Sequence, residues 1–180
     1  MNMPKSSKKQ INEDEKKLLK VLQTSSGDNI ENIAKKCGFS RQKVSRIKKR
    51  LEKDKTIWGY NAVFDEEKLG LKKYIILLKR TNKPISPEKL QIPIKGTAKQ
   101  ELAKRGIEID FNLLVHGDYD LALCVTTRGV KELVILTNAL NKMFGEYIAE
   151  MKTLEVLFPL QKGGIDNPNL EELKEFFISE

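Results

Sequence analysis

Hydrophobic residues in the first third of the chain recur with the spacing of helix faces. Three leucines between positions 18 and 22 define the inner side of a first helix, for which Asn12 and Glu15 form a predicted capping box. Asp28 opens a second helix, which ends at Gly38 because glycine accepts the left-handed backbone of a helix end. The apolar positions of this second helix fall at i, i+3, i+4 and i+7: Ile30, Ile33, Ala34 and Cys37.

A third predicted helix, capped by Ser40, has an apolar side and a strongly cationic side. Val44, Ile47 and Leu51 form one narrow stripe at i, i+3 and i+7. The polar positions suit the base edges and phosphates of a DNA major groove: Gln42, Lys43, Ser45, Arg46, Lys49, Arg50 and Lys53. The short turn through Gly38 joins the two helices as in a helix-turn-helix. A solvated surface face is the alternative interpretation of the same charges.

The pattern changes after the third helix. Residues 56–64 are rich in β-forming side chains and predict a two-stranded wing or a strand that leads out of the helices. From Lys72 onward the apolar spacing is that of strands. A continuous apolar run at 74–78 predicts a central strand, and the alternation of apolar residues over 107–115 predicts a half-buried one.

Further strand and helix signals follow in regular order. Gly117 and Asp118 indicate a tight turn into a strand at 121–125. Residues 129–144 carry apolar side chains at helical spacing, and a last strand is predicted at 148–158.

Proline and capping signals complete this second half. Three prolines make residues 81–96 mostly loop, and Thr97 begins a short helix that ends at Gly106. The order is therefore β-α-β-β-α-β, the ferredoxin-like unit, followed by a C-terminal helix at 169–178. The predicted fold class is α+β, an N-terminal winged helix-turn-helix domain joined to a C-terminal ferredoxin-like domain. The predicted segments are a flexible basic tail at 1–10, the helix-turn-helix at 11–58, a wing and linker at 59–71, the ferredoxin-like domain at 72–160, and a C-terminal loop and helix at 161–180.

Charge divides along the chain in the same place. The 180 residues carry a net charge of +8. Residues 1–58 hold 16 Lys and Arg against 7 Asp and Glu, whereas the remaining residues hold 17 against 18. All the excess positive charge is therefore in the first third. This asymmetry indicates a basic nucleic-acid-binding module joined to a neutral module with a different purpose.

The remaining side-chain chemistry excludes several classes of function. Cys37 and Cys124 lie far apart, which suggests buried thiols in a reducing cytosol rather than a disulfide or a zinc site. No apolar run approaches the roughly 20 residues of a membrane span, and the polar N-terminus is not a secretory signal, so we expect a cytoplasmic protein without a membrane partner. His116 is the only histidine. Without a phosphate loop, metal-ligand spacing or a nucleophile with a partner base, no catalytic residue, metal or cofactor is expected.

Motifs in both halves together resemble the Lrp/AsnC family of transcriptional regulators. In the second half, Gly117-Asp118-Tyr119-Asp120 and Thr153 are similar to the effector domain of that family. The similarity covers most of the chain, from Ile11 to Phe158. The matching residues of the first half are Ile11-Asn12-x-x-Glu15-x-x-Leu18-Leu19, then Ile33 to Ser40, Val44, Leu51-Glu52, Ile57, Gly59-Tyr60 and Leu69-Gly70-Leu71.

The resemblance implies a sequence-specific regulator that binds double-stranded DNA as a homodimer or a higher even oligomer. It implies DNA contacts from Ser40 and from the polar residues of the third helix. It also implies that Gly117, Asp118 and Asp120 bind an amino acid or a related small molecule at an interface between subunits. A glycine lets backbone amides approach a carboxylate, and an aspartate can meet an ammonium group. Ordinary turn chemistry is the alternative for Gly117 and Asp118.

Two other functions stay open. One is an enzyme similar to the siroheme decarboxylases, which have a comparable two-domain plan. This alternative predicts a haem-like pocket and a neutral first domain. An architectural protein would bind DNA without an effector, so that no amino acid would change its DNA binding or its assembly.

Overall fold

The computed structural model describes residues 8–178, which form two compact units. One unit is built from the chain up to Phe64 together with the stretch from Pro159 onward, and the other runs from Asp65 to Phe158. Most of the tail predicted at 1–10 lies outside the described residues. No helix in the described range combines the length and apolar character that a bilayer crossing requires.

Three helices form a helix-turn-helix in the first unit: α1 (Lys8–Ser25), α2 (Ile30–Cys37) and α3 (Arg41–Lys53). Their apolar stripes meet in one core, in which every member is almost completely shielded from water. This confirms the three predicted helices, whereas Ile30, predicted on the inner face of α2, is 40% exposed. The buried residues of this core are Leu18, Leu22, Ile33, Ala34, Cys37, Val44, Ile47 and Leu51.

The starts of α1 and α2 differ from the predictions. α1 is already helical at Lys8, so the predicted N-cap Asn12 lies inside the helix. The helical residues that precede Asn12, Lys8 to Ile11, include no glycine or proline that would interrupt a helix. α2 is capped by Asn29 and not by Asp28. The Asn29 side chain accepts the backbone N–H three residues later (2.9 Å), while the Asp28 carboxylate pairs with Lys36 (2.9 Å).

The segment after α3 contains no strand within the described chain, so the wing or strand predicted at 56–64 is wrong. The Ile57 N–H donates to the Leu51 carbonyl (3.0 Å), and the Phe64 carbonyl accepts a hydrogen bond from Lys162 Nζ (3.0 Å). β-forming side chains produce a strand only where a neighbouring strand offers backbone hydrogen bonds. This segment has no such ladder within residues 8–178.

The second unit contains a four-stranded antiparallel sheet and three helices. The elements are β1 (Lys72–Arg80), α4 (Pro87–Lys95), α5 (Thr97–Lys104), β2 (Glu108–Leu114), β3 (Leu121–Thr127), α6 (Val130–Phe144) and β4 (Ile148–Glu155). The strands stand in the order β2-β3-β1-β4. This is the strand order of the predicted ferredoxin-like arrangement, in which two β-α-β units interleave their strands in one sheet.

Helices α5 and α6 cover one face of this sheet. The Tyr74 hydroxyl is buried in the resulting core without a hydrogen-bond partner among the described residues. Burial raises the pKa of Tyr74, because the phenolate form loses its hydration. The buried core residues of this unit are Tyr74, Ile76, Leu78, Ile107, Leu123, Val125, Leu133 and Leu136.

One extra residue in β2 changes which side chains face that core. Ile109 pairs with Val125, but Phe111, and not Asp110, pairs with the next residue of β3, so Asp110 forms a β-bulge. Beyond the bulge the alternation is reversed. Phe111 and Leu113 therefore face away from the helices and are 39% and 51% exposed. The prediction of one continuous inner face for this strand is wrong beyond the bulge.

The second face of the sheet is apolar and only partly shielded. Ile75 and Leu77 of β1 lie on it, and Ile75 pairs with Leu154 of β4, which is 51% exposed. Phe111 and Leu113 extend the same surface. We call these five residues the open sheet face.

Residues 81–96, predicted as mostly loop, contain helix α4. Pro87 occupies its first turn, where the missing N–H of proline needs no partner. Ser86 caps the helix by accepting the Lys89 N–H (3.4 Å), and Pro93 lies near the C-terminal end. The prolines therefore delimit a short helix here and do not prevent one.

The C-terminal stretch of the first unit forms a short hairpin of β5 (Gln161–Lys162) and β6 (Ile165–Asp166). The two glycines between the strands have φ of +56° and +81°, the left-handed conformation of tight hairpin turns. Residues Leu170–Phe176 then form a 3-10 helix, within the C-terminal helix predicted at 169–178. No side chain caps its start, and 3-10 geometry is usual in such short, exposed pieces.

Candidate nucleic-acid interface

The orientation of α3 is fixed by its cap and by its apolar stripe. Ser40 begins the helix by accepting the Lys43 N–H on its hydroxyl oxygen (3.2 Å). Val44, Ile47 and Leu51 are at most 3% exposed. Because this stripe is held in the core, the opposite side of the helix must face water.

That opposite side carries side chains with no competing partner. Gln42, Arg46, Lys49 and Lys53 are exposed, and Ser45 is half-buried beside them. Arg46, Lys49 and Lys53 form no ion pair with any other residue of the described range. Three uncompensated cations and an amide therefore share one accessible face, which is the composition that DNA phosphates and base edges attract.

Two other predicted DNA-contacting residues are engaged within the protein. Lys43 Nζ lies 2.8 Å from the Asp14 carboxylate and 4.1 Å from the centre of the Phe39 ring. Arg50 Nη2 lies 2.7 Å from the Glu15 carboxylate. Neighbouring carboxylates of α1 thus hold both cations on one flank of α3.

These pairs change the electrostatics of the flank. The hydrogen bond from Lys43 lowers the pKa of Asp14, so this carboxylate stays charged at neutral pH. A DNA phosphate must compete with Asp14 for Lys43 and with Glu15 for Arg50, whereas Lys53 is already available. Neither acidic partner could be predicted from the sequence, because contacts between two separate helices have no fixed sequence spacing.

A shallow depression of about 520 Å³ adjoins the start of α3. Its lining includes four lysines and two carboxylates: Lys16, Lys17, Lys20 and Lys43, with Glu13 and Asp14. The cationic surface therefore continues from α3 onto α1. These α1 lysines are not among the predicted DNA contacts; the excess of positive charge over residues 1–58 is the sequence signal that includes them.

The chain just after α3 is held against that helix by an aromatic residue. The Tyr60 hydroxyl donates to the Glu52 carboxylate (2.8 Å), and Lys48 Nζ lies 4.5 Å from the Tyr60 ring centre. Burial, followed by the bond to Glu52, raises the pKa of Tyr60 to about 12. Tyr60 therefore remains a neutral hydrogen-bond donor at physiological pH.

The three predicted effector-binding residues share one loop of the second unit. Residues 115–120 form this loop, which the Val115 N–H closes by donating to the Asp120 carbonyl (2.9 Å), so a turn joins β2 to β3 as predicted. Gly117 adopts a φ of +147°, which favours glycine. The Asp120 carboxylate accepts the Arg80 N–H (2.7 Å), which ties the loop to the end of β1. Asp118 is exposed. Gly117 and Asp118 thus remain accessible, while the Asp120 carboxylate is engaged by the backbone of Arg80.

No group of three or more metal-ligating side chains occurs in residues 8–178. Neither a family model nor a curated protein sequence matches the chain. Solved structures do match it.

LrpC of B. subtilis is 16% identical, with a TM-score of 0.57 over 89% of this chain and 99% of that chain. An AsnC family transcriptional regulator from Agrobacterium tumefaciens is 20% identical, with a TM-score of 0.57 over 92% and 98%. A transcriptional regulator from Neisseria meningitidis, solved in complex with L-Met, is 15% identical, with a TM-score of 0.61 over 93% and 99%.

The chain has the Lrp/AsnC fold.

The Lrp/AsnC fold agrees with the predicted α+β class, in which a helix-turn-helix precedes a ferredoxin-like unit. Its match extends over nearly the whole length of these regulators. The basic face of α3 lies in the helix-turn-helix part of the Lrp/AsnC fold, and the loop 115–120 lies in the ferredoxin-like part.

Proposed function

We propose that the chain is a cytoplasmic, sequence-specific transcriptional regulator of the Lrp/AsnC type. The observation that carries this proposal is the outward face of α3, where Arg46, Lys49 and Lys53 are exposed and without ion pairs in the described range. A guanidinium group can form two parallel hydrogen bonds with a guanine edge. Lysines beside it neutralise phosphates and release counterions. Arg46 would thus read bases while Lys49 and Lys53 hold the backbone.

Binding to the DNA upstream of its own gene, compared with a scrambled duplex of equal length over a salt series, tests this proposal. Arg46→Ala should weaken binding to the specific site by about 1–3 kcal/mol and binding to the scrambled duplex by less. Lys142→Ala, which removes one exposed cation from α6, is the matched control and should change neither. Equal losses on both duplexes would refute base reading by Arg46. Absence of DNA binding at low salt would refute the proposal of a regulator. A visible absorbance spectrum would then test for the bound tetrapyrrole that an enzyme similar to the siroheme decarboxylases would hold.

A homodimer or a higher even oligomer is part of the proposal. One helix-turn-helix covers only a half-site, and a two-fold dimer presents two such helices about one DNA turn apart. The open sheet face supports this assembly, since contiguous apolar surface of this kind usually marks an interface. Leu113→Lys should shift the protein towards monomer in sedimentation velocity. Leu114→Lys is the control, because Leu114 is 83% exposed and lies on the opposite side of β2. A wild-type monomer at micromolar concentration would contradict the assembly.

The proposed effector is an amino acid or a related small molecule bound at the loop 115–120 near a subunit interface. Accessible Gly117 and Asp118 support this site, and the Neisseria meningitidis regulator of the same fold is described in complex with L-Met. Asp118→Ala should abolish the effect of the active amino acid on DNA binding and change stability by less than about 0.5 kcal/mol. Asp120→Ala should also destabilise the loop, because it leaves the Arg80 N–H without its acceptor. If none of the twenty amino acids alters binding or assembly, the architectural alternative is favoured.

A further inference from the structure

Trp58 is the only tryptophan of the chain, and its side chain is 95% exposed. Both of its flanks are nevertheless fixed. Ile57 packs against the helix-turn-helix core and donates its N–H to Leu51 (3.0 Å), and Tyr60 is held by Glu52. The indole is therefore presented to solvent by a firmly attached segment.

Such exposure is unusual for this residue type. Tryptophan is on average highly buried, because covering its indole removes 150–250 Å² of largely apolar surface from water. Aromatic residues left outside a core and held in place are favoured at binding interfaces, where few rotatable bonds are lost on contact. Neither core of the described chain includes this indole.

The charge around Trp58 distinguishes between possible partners. Residues 46–58 contain six basic and two acidic residues. The same patch on a second copy of the chain would carry like charge, which opposes self-association at this point. DNA carries the complementary charge. A polyanion therefore fits this surface better than another subunit does.

Helix length places Trp58 beside the groove that α3 would enter. α3 has 13 residues and is about 20 Å long, whereas the major groove is about 12 Å wide. A helix whose first turns read bases therefore ends near the flanking backbone, and Trp58 follows five residues later. At that distance along the chain, the apolar surface nearest to an indole would be the deoxyribose edge of the adjacent minor groove.

We infer that Trp58 contacts the DNA next to α3 through the deoxyribose surface of the minor-groove edge. This inference rests on the proposed DNA-binding function. It extends the interface to an apolar contact that neither the charge pattern nor the helix-turn-helix motif assigns.

The single tryptophan makes the contact directly measurable. In the free protein, its emission should be that of a hydrated indole and should be quenched efficiently by acrylamide. Adding the duplex from the upstream region should shift the emission and protect the indole from acrylamide. The same titration without DNA, over a range of protein concentrations, tests for cover by a second copy, and emission that shifts there instead would overturn the inference.

Variants test how much the contact of Trp58 contributes to the affinity for DNA. Trp58→Ala should weaken DNA binding about tenfold, as when an aromatic residue covered at an interface is truncated, and should leave the salt slope unchanged because no charge is lost. Phe177→Ala, at an 81% exposed aromatic outside α3 and the segment after it, is the matched control and should bind as wild type does. If DNA binds without altering the tryptophan emission, and Trp58→Ala binds DNA with wild-type affinity, the inference is overturned while the proposed function stands. Absence of DNA binding by the wild type would overturn the proposed function and this inference together.

Discussion

Glu15→Gln is expected to make DNA binding by this protein tighter and more dependent on salt. Glu15 holds Arg50 through a 2.7 Å ion pair between α1 and α3. Glutamine keeps the size of the side chain but removes its charge. The released guanidinium then lies on the flank of a helix whose outward face already carries Arg46, Lys49 and Lys53, where it can pair with a phosphate.

The structure gives the size of the effect on stability and of the effect on salt dependence. The side chains of Arg50 and Glu15 are 43% and 23% exposed, so their pair contributes about 0.2–1 kcal/mol to stability and the variant should fold. Each additional phosphate contact steepens the slope of log K against log salt by about 0.9. Between about 50 and 200 mM salt, the variant should therefore lose about 3.5-fold more affinity than wild type.

Fluorescence anisotropy with a labelled duplex across a salt series measures this slope. Glu101→Gln is the matched control, because Glu101 pairs with Lys104 on α5 of the second unit (2.6 Å) and is not part of the cationic surface of α1 and α3. The control removes the same charge without releasing a cation of α3. Equal slopes for the two variants would refute the reasoning, since they would show that released Arg50 does not reach a phosphate. Thermal unfolding of both variants checks that the fold is retained.

Three further predictions concern buried and titrating groups. Tyr74→Phe should raise the unfolding free energy in urea by about 1 kcal/mol, because it removes the hydroxyl that is buried without a partner; a decrease would contradict this. Cys124 should resist iodoacetamide at about pH 8, since burial and the adjacent Asp110 raise its pKa to about 11; alkylation as fast as in urea would refute its shielding. Asp14 should stabilise the fold fully above its ordinary pKa of 3.8 and progressively less as the pH falls through its lowered pKa in the folded state. Between about pH 5 and pH 2, Asp14→Asn should therefore lose less stability than wild type; equal losses would assign the acid sensitivity to other groups.

Elements whose side chains are buried on one face could be predicted from sequence. Leu18, Ile33 and Val44 recur with helical spacing, and each lies in the core of the helix-turn-helix. The apolar run at 74–78 became the central strand β1 for the same reason: burial imposes a period on the sequence. Where water faces most of a segment, that period is lost, so the sequence predicted a C-terminal helix but not its 3-10 type at Leu170–Phe176.

The errors arose where the conformation depends on residues distant in the chain. The bulge at Asp110 is defined only by its pairing with β3, and a repeating apolar pattern alone does not reveal it. The segment 56–64 has strand-forming residues but no strand beside it in the described range. For the site, the exposed face of α3 followed from its own apolar stripe, whereas the engagement of Lys43 and Arg50 required knowledge of which helix lies opposite.

The bulge in β2 bears on how such a protein can change its assembly during evolution. Because side chains alternate along a strand, loss of the bulge with Asp110 retained would pair Asp110 with Cys124. Phe111 and Leu113 would then face the helices, and Asn112 and Leu114 the other side. An asparagine would then replace part of an apolar contact surface without any substitution. The one-residue bulge therefore decides whether the hydrophobic side chains of β2 face the interior of one subunit or the open sheet face, at which the proposed dimer would form.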